Sequence, residues 1–202
     1  SDDDNYLFDL HGASNLTFQN LTFKATSPTI YGKLFTITGQ ADSLNFFANN
    51  FIGLLDEGSS NARRILIYSG DLYFTDMKIN NNQFNYGTYA IYFNTGNLAY
   101  YPQLLTLNNN YSENNGYYFL SVNSLHGIYA ANNRFRSGAY GIRVNDIDSL
   151  LHIENNIIET NRQSALQVSY AQLSGDNPGQ IFNNIFFSTD ENGLQNDMIR
   201  LF

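Results

Sequence analysis

The residues with most chemistry to offer are three histidines, a few short acidic runs and a crowd of tyrosines. His11, His126 and His152 would act as metal ligands or a general base if folding brought them together. The acidic runs are Asp2-Asp3-Asp4, Asp56-Glu57, Asp146 with Asp148, and Asp190-Glu191. They offer oxygen ligands for Ca²⁺, but none has the spacing of a calcium-binding loop. The chain has no Cys, which excludes disulfides and thiolate metal sites. Tyr86, Tyr89, Tyr92, Tyr100, Tyr101, Tyr117 and Tyr118 crowd the middle of the chain. Exposed rings with polar tips are stacking surfaces for sugars or for a protein partner.

Whether any of these groups meet depends on the framework, and the framework is a repeat. One phrase recurs: an apolar residue, any residue, Asn, usually a second Asn, any residue, then usually Ile or Phe. It begins at Phe18, Phe47, Ile79, Leu107, Ala130, Ile153 and Ile181. Its first Asn falls at Asn20, Asn49, Asn81, Asn109, Asn132, Asn155 and Asn183, at intervals of 29, 32, 28, 23, 23 and 28 residues. Self-similarity at this period marks a solenoid. Between the phrases lie alternating triplets: Phe35-Thr-Ile37, Ile65-Leu-Ile67, Ile91-Tyr-Phe93, Leu120-Ser-Val122, Ile142-Arg-Val144 and Leu166-Gln-Val168. Phe8-Asp-Leu10 and Ile199-Arg-Leu201 lie outside the outermost phrases. Each repeat then holds about three short strands: the triplet, one entering the Asn phrase and one leaving it. Asn suits the corner between the last two. It tolerates a left-handed backbone, and its amide, stacked at about 4.8 Å, can bond its neighbours. Either Asn of the pair could supply the inward ladder.

These phrases and triplets, spanning roughly Leu7 to Phe202, resemble the right-handed parallel β-helix of the pectin-lyase-like superfamily. The resemblance implies an all-β, single-stranded right-handed parallel β-helix solenoid of about seven coils with an asparagine ladder. Coils longer than 23 residues imply insertions, with candidates at Ala25–Lys33, Gly53–Arg64, Asn94–Gln103 and Tyr170–Gln180. The chain, 1–202, reads as one domain. It opens on Ser-Asp-Asp-Asp and shows no amphipathic cap at either end, so it reads as a segment of a longer solenoid.

Used as a ruler, the repeat sorts the chemistry. The histidines stand nine, six and three residues before their ladder Asn, at different corners, so a shared metal or base is not expected. His152 alternates with Leu151 and Ile153 and should face solvent. Glu113, Arg136 and Glu159 fall in one column, where the Arg can pair with both acids. Enzymes of the resembled family gather acids and bases on one outer strand column. The triplet centres here are Asp9, Thr36, Leu66, Tyr92, Ser121, Arg143, Gln167 and Arg200, which contain no acid pair. The expectation is therefore no catalytic residue, no metal and no cofactor. Tyr92, Tyr100, Tyr101, Tyr117, Tyr118 and Arg143 are the candidate binding residues. Three sequons occur, at Asn15, Asn20 and Asn110. Asn15 and Asn110 are kept as N-glycosylation candidates. Asn20 conflicts with a ladder role.

The net charge of −8 disfavours nucleic acid, and no apolar run is long enough for membrane insertion. The resemblance to surface and adhesin β-helix proteins implies a non-catalytic extracellular or cell-surface protein with an adhesive or structural role. Its expected partners are glycans, other surface proteins, and neighbouring coils or copies. The alternatives are a polysaccharide lyase, hydrolase or epimerase of the same fold, and a filament or sheath component assembling end to end.

Overall fold

The structure, a computed structural model, describes residues 6–26, 32–54, 64–95, 103–136, 138–189 and 198–202. Every strand pairing is parallel, and no helix occurs among the described residues. The first turn of the solenoid holds β1 (Tyr6–His11), β2 (Thr17–Gln19) and β3 (Thr22–Lys24). The second holds β4 (Lys33–Gln40), β5 (Leu44–Phe47) and β6 (Asn50–Ile52). The third holds β7 (Ile65–Tyr73), β8 (Asp76–Asn80) and β9 (Gln83–Asn85). Then come β10 (Tyr89–Thr95), β11 (Leu104–Asn108) and β12 (Tyr111–Glu113). In the next two turns the first two strands run together as one bent strand. These are β13 (Tyr118–Ala131) with β14 (Arg134–Arg136), and β15 (Tyr140–Glu154) with β16 (Ile157–Thr160). β17 (Leu166–Ala171), β18 (Gln180–Phe182), β19 (Ile185–Ser188) and β20 (Ile199–Leu201) complete the set.

Stacking equivalent strands makes three faces. The A face runs β1-β4-β7-β10-β13-β15-β17-β20, and the B face runs from β2 through the second halves of β13 and β15 to β18. The C face is a separate sheet, β3-β6-β9-β12-β14-β16-β19. A and B belong to one sheet because β13 and β15 carry the backbone around their shared corner. They do so at Ser124 and Asp146, both at positive φ.

The B-to-C corner is the same two residues in every turn. The first lies at φ 53–58°: Asn20, Ala48, Asn81, Asn109, Asn132, Asn155 and Asn183. A left-handed backbone favours Asn among non-Gly residues, and all of these except Ala48 are exposed. The second residue is Leu21, which is exposed at the end of the column, and then Asn49, Asn82, Asn110, Asn133, Asn156 and Asn184, which point inward. From Asn49 to Asn156, each donates its backbone N–H and its side-chain Nδ2 to Oδ1 of the next, at 2.9–3.2 Å. Nδ2 also donates to a backbone carbonyl of the turn before, as from Asn82 to Phe46 O at 2.8 Å. A buried corner thereby satisfies its own polar groups.

This corrects the expected ladder. Asn20, Asn81, Asn109, Asn132, Asn155 and Asn183 make the left-handed bend, and of the expected set only Asn49 lies in the inward column. Phe47 pairs with Asn80, so Asn49 stands beside Asn82 and not beside Asn81. The phrase at Phe47 is shifted by one because its Asn-Asn pair straddles the ladder position and the start of β6. A second correction follows. Asn110 is 2 % exposed, with Nδ2 donating to Ile79 O and Asn133 Oδ1. A glycan on that nitrogen is incompatible with the fold. Asn15 is exposed, at φ 58°.

The core lies inside the three faces, and its columns are stacked rings toward the N-terminal end. Phe8 stacks on Phe35, Phe18 on Phe46, and Phe23 on Phe51, which stacks on Phe84, at 4.8–5.2 Å. At the corner between C and A, the inward column reads Leu34, Leu66, Ala90, Phe119, Gly141 and Ala165. Phe119 reaches across to stack on Phe135 at 3.5 Å and meets Phe84 edge-on at 5.8 Å. Its column neighbours are the small residues Ala90 and Gly141, so large and small side chains interdigitate.

Candidate functional site

The outward column at the middle of the A face is fixed by register: Asp9, Thr36, Tyr68, Tyr92, Ser121, Arg143, Gln167 and Arg200. Leu66, expected at its third position, is fully buried in the core. Tyr68 stands there instead, paired with Thr36 and Tyr92. The run from Ile65 to Ser69 is apolar enough to fit either frame. It misleads because the corner position before the strand also faces the core.

Three residues before this column runs a second outward one, in which Ile65, Tyr89, Tyr118 and Tyr140 are register partners. Together the columns build a wall of tyrosine. Tyr89 stacks on Tyr118 at 5.6 Å, and Tyr118 on Tyr140 at 4.4 Å. Tyr117, from the preceding connection, sets its ring edge-on to all three at 4.9–5.5 Å. Tyr68 stacks on Tyr92 at 5.8 Å, and Lys33 Nζ lies 4.0 Å above the Tyr68 ring, a cation–π contact. The rings form an apolar cluster outside the main core.

Burial keeps four of these phenols, Tyr68, Tyr89, Tyr118 and Tyr140, protonated beyond their ordinary range. Burial raises Tyr118 and pushes Tyr89 up to about 12, while the Arg143 guanidinium pulls both back. Tyr68 and Tyr140 are raised for the same first reason. The folded chain therefore holds phenol protons that the unfolded chain has lost. The phenols' contribution to stability is expected to be constant below pH 10 and to be lost as pH climbs through 10 toward about 12. Denaturant midpoints measured across that range, beside a phenolate absorbance titration, check this. Tyr89 and Tyr118 should ionise last.

The wall frames an unspent set of donors. Ser121, between Tyr92 and Arg143 in the column, is 1 % exposed, and its Oγ has no hydrogen-bond partner. Thr36 Oγ1 is likewise unpartnered. Arg143 makes no ion pair with any described residue, and Asn123 Nδ2 donates to the Tyr92 hydroxyl at 3.4 Å. Among the described residues, the two columns carry Lys33, Arg143 and Arg200 against one carboxylate, Asp9. Asp71, at the corner, also faces Tyr68. On a chain of net charge −8 this is a locally basic surface.

Of the expected binding residues, Tyr92, Tyr117, Tyr118 and Arg143 come together here. Tyr100 and Tyr101 lie outside the described residues, as do Asp2–Asp4, Asp56-Glu57 and Asp190-Glu191. Tyr68, Tyr140, Lys33 and Ser121 were not singled out from sequence. The signal for Tyr140 was available: Tyr89, Tyr118 and Tyr140 each stand three residues before a triplet centre.

The histidines sit apart. His11 Nδ1 bonds Thr38 Oγ1 at 2.9 Å, and His126 pairs with Asp148 at 2.8 Å. His152 lies on the outer B face, but Tyr129 and Phe182 flank its ring, at 4.7 and 5.3 Å, and leave it half-buried. Its Nε2 is 3.3 Å from Glu154, whose carboxyl is held below its ordinary range chiefly by the Tyr129 hydroxyl. On the C face, Arg136 pairs with Glu159 at 3.0 Å, while Glu113 accepts from the Tyr111 hydroxyl at 2.7 Å. The expected pairing of Arg136 with both acids is thus replaced on one side by a tyrosine. Among the described residues, no three of His, Asp or Glu gather as metal ligands.

A solenoid of parallel strands with a conserved corner geometry in each turn defines a parallel β-helix. The family model for the right handed beta helix region matches residues 59–198, most of the chain, and the chain belongs to that family. No curated protein and no solved structure matches it.

Proposed function

We propose that this β-helix protein binds an acidic glycan along its A face and acts as an adhesive or structural element outside the cell or at its surface. The observation that carries the reading is the tyrosine wall, in which Tyr68, Tyr92, Tyr117 and Tyr140 stay partly exposed, beside Arg143, which makes no ion pair with any described residue. These partly exposed rings, held in place by the buried Tyr89 and Tyr118, offer sugar faces a rigid platform. A guanidinium gives carboxylate or sulfate groups a two-pronged donor. In this reading Asn15 carries the N-glycan of a secreted chain.

The test is titration of the intact chain with acidic and neutral oligosaccharides by calorimetry. Acidic oligosaccharides are expected to bind more tightly. Tyr92→Ala and Arg143→Ala should each weaken that binding about tenfold or more, equivalent to about 1.4 kcal/mol. Neutral oligosaccharides binding equally well, or no loss in either variant, would overturn the assignment. Release of new chain ends from the sugar would replace it with a polysaccharide-cleaving enzyme.

A further inference from the structure

Away from the tyrosine wall, on the C face where it turns toward A, six polar residues line a cavity of about 260 Å³: Glu113, Asn114, Arg136, Glu159, Asn161 and Thr189. Its shape follows from three successive corner connections. Residues 114–117 follow β12, and 161–165 follow β16. Between them, Gly138 lies close against the preceding connection. It donates its N–H to Asn115 O at 2.7 Å, and a Cβ there would lie 2.6 and 2.7 Å from the Asn115 and Gly116 oxygens. Beside it a notch opens, with Asn114 on one wall and Asn161 and Thr189 on the other.

The lining selects among guests. Arg136 Nε donates to Glu159 Oε2 at 3.0 Å, and the Tyr111 hydroxyl donates to Glu113 Oε2 at 2.7 Å, so both carboxylates are steadied from one side. Glu113 and Glu159 stand two strands apart, about 10 Å at strand spacing, with Arg136 between them. A single Ca²⁺ holds its oxygens at about 2.3–2.6 Å and cannot span that gap. Two carboxylates against one guanidinium disfavour an anion. The polar lining disfavours an apolar guest. An uncharged group dense in hydroxyls is complementary to every part of this lining. Carboxylates accept from it, a guanidinium donates to it, and carboxamides do both.

We propose that this notch binds a single neutral pyranose unit. It is separate from the A-face wall, and the two lie on either side of the same corner connections: Glu113 is followed by Tyr117, and Arg136 by Tyr140. One chain thus holds two saccharide contacts on adjacent faces, one for an acidic and one for a neutral sugar, which multiplies affinity for a surface displaying both.

The test is an NMR titration of the isotope-labelled full chain with neutral methyl hexopyranosides, with methylammonium chloride and calcium chloride as separate probes. At least one hexopyranoside is expected to give saturable shifts at the amides of Asn114, Arg136 and Asn161, with a millimolar Kd. Asn161→Ala and Glu113→Gln should each weaken that binding about tenfold. Arg143→Ala should leave it unchanged while weakening A-face binding of an acidic oligosaccharide, so the two sites fail independently. The proposal is overturned if no hexopyranoside saturates these amides, if methylammonium or Ca²⁺ binds there in preference, or if both substitutions leave binding intact.

Discussion

Replacing Asn133 with Ala is expected to destabilise the protein by roughly 3–6 kcal/mol, read as a large drop in its urea midpoint. Asn133 Oδ1 accepts from both the N–H and the Nδ2 of Asn110, at 3.0 Å each, and its own Nδ2 reaches Leu107 O at 3.0 Å and Asn156 Oδ1 at 2.9 Å. The side chain is buried, so no water replaces these partners. Truncation leaves the backbone N–H and one Nδ2 hydrogen of Asn110 without partners, at about 1–3 kcal/mol each, and takes one donor from the Leu107 carbonyl, worth about 1 kcal/mol. The adjacent Asn132 provides the contrast. It is exposed, at φ 56°, and its Nδ2 bonds only Asn108 Oδ1, at 3.1 Å. Asn132→Ala should cost about 1–2 kcal/mol for the left-handed backbone, and Asn132→Gly much less. Equal losses at 132 and 133 would mean that the corner is held by backbone shape alone.

Phe119→Ala is expected to cost about 5 kcal/mol, the upper end for an aromatic truncation in a core. Its magnitude comes from the neighbours. A cavity is cheapest where adjacent side chains can lean in, and Phe119 is flanked in its column by Ala90 and Gly141, which have nothing to offer. Nor can Gly141 be enlarged in compensation. A Cβ there would lie 2.3 Å from Ala165 O and 2.5 Å from Ile158 Cγ2. Leu34→Ala, in the same column beside Leu66, should cost less, about 2–3 kcal/mol. Denaturation of the two variants side by side decides the matter. A Phe119→Ala loss no larger than that of Leu34→Ala would show that the interdigitation of large and small residues carries no energy.

Much of the fold was legible because every turn reuses one corner. The Asn phrases and apolar columns reported three strands per turn, and the structure places strands on both sides of each phrase. The ambiguity lay in the doubling of Asn. Two adjacent columns are both Asn-rich for different reasons, one for its tolerance of positive φ and the other for its amide. Only the exceptions Ala48 and Leu21 tell them apart. Ala48 occupies the bend and Leu21 the ladder column, so Phe47-Ala48-Asn49-Asn50 belongs one residue out of the frame that its Asn pair suggests. The site was legible only in part. Alternation showed that Tyr92, Ser121 and Arg143 face outward. That Tyr117 lies against Tyr89, Tyr118 and Tyr140 depends on how a connection folds back, which periodicity does not encode. The unpartnered hydroxyl of Ser121 is a property of packing, invisible in the residue name.

The asparagine ladder has a direction. From Asn49 to Asn156 every Oδ1–N–H link in it runs the same way, from the backbone N–H and one Nδ2 hydrogen to the Oδ1 of the following turn, while the second Nδ2 hydrogen returns to a backbone carbonyl of the turn before. Aligned amide dipoles add, as peptide dipoles do along a helix. A buried line of them therefore gives the rod an electrical polarity that its surface charges do not reveal. The oxygen end lies at Asn49, where the Leu21 N–H caps it at 3.0 Å, and the positive, N–H end lies at Asn184. Because each bond polarises the next, lengthening such a rod strengthens its interior corners. The protein is thus a one-way structure, and its two ends present different fields to whatever approaches them.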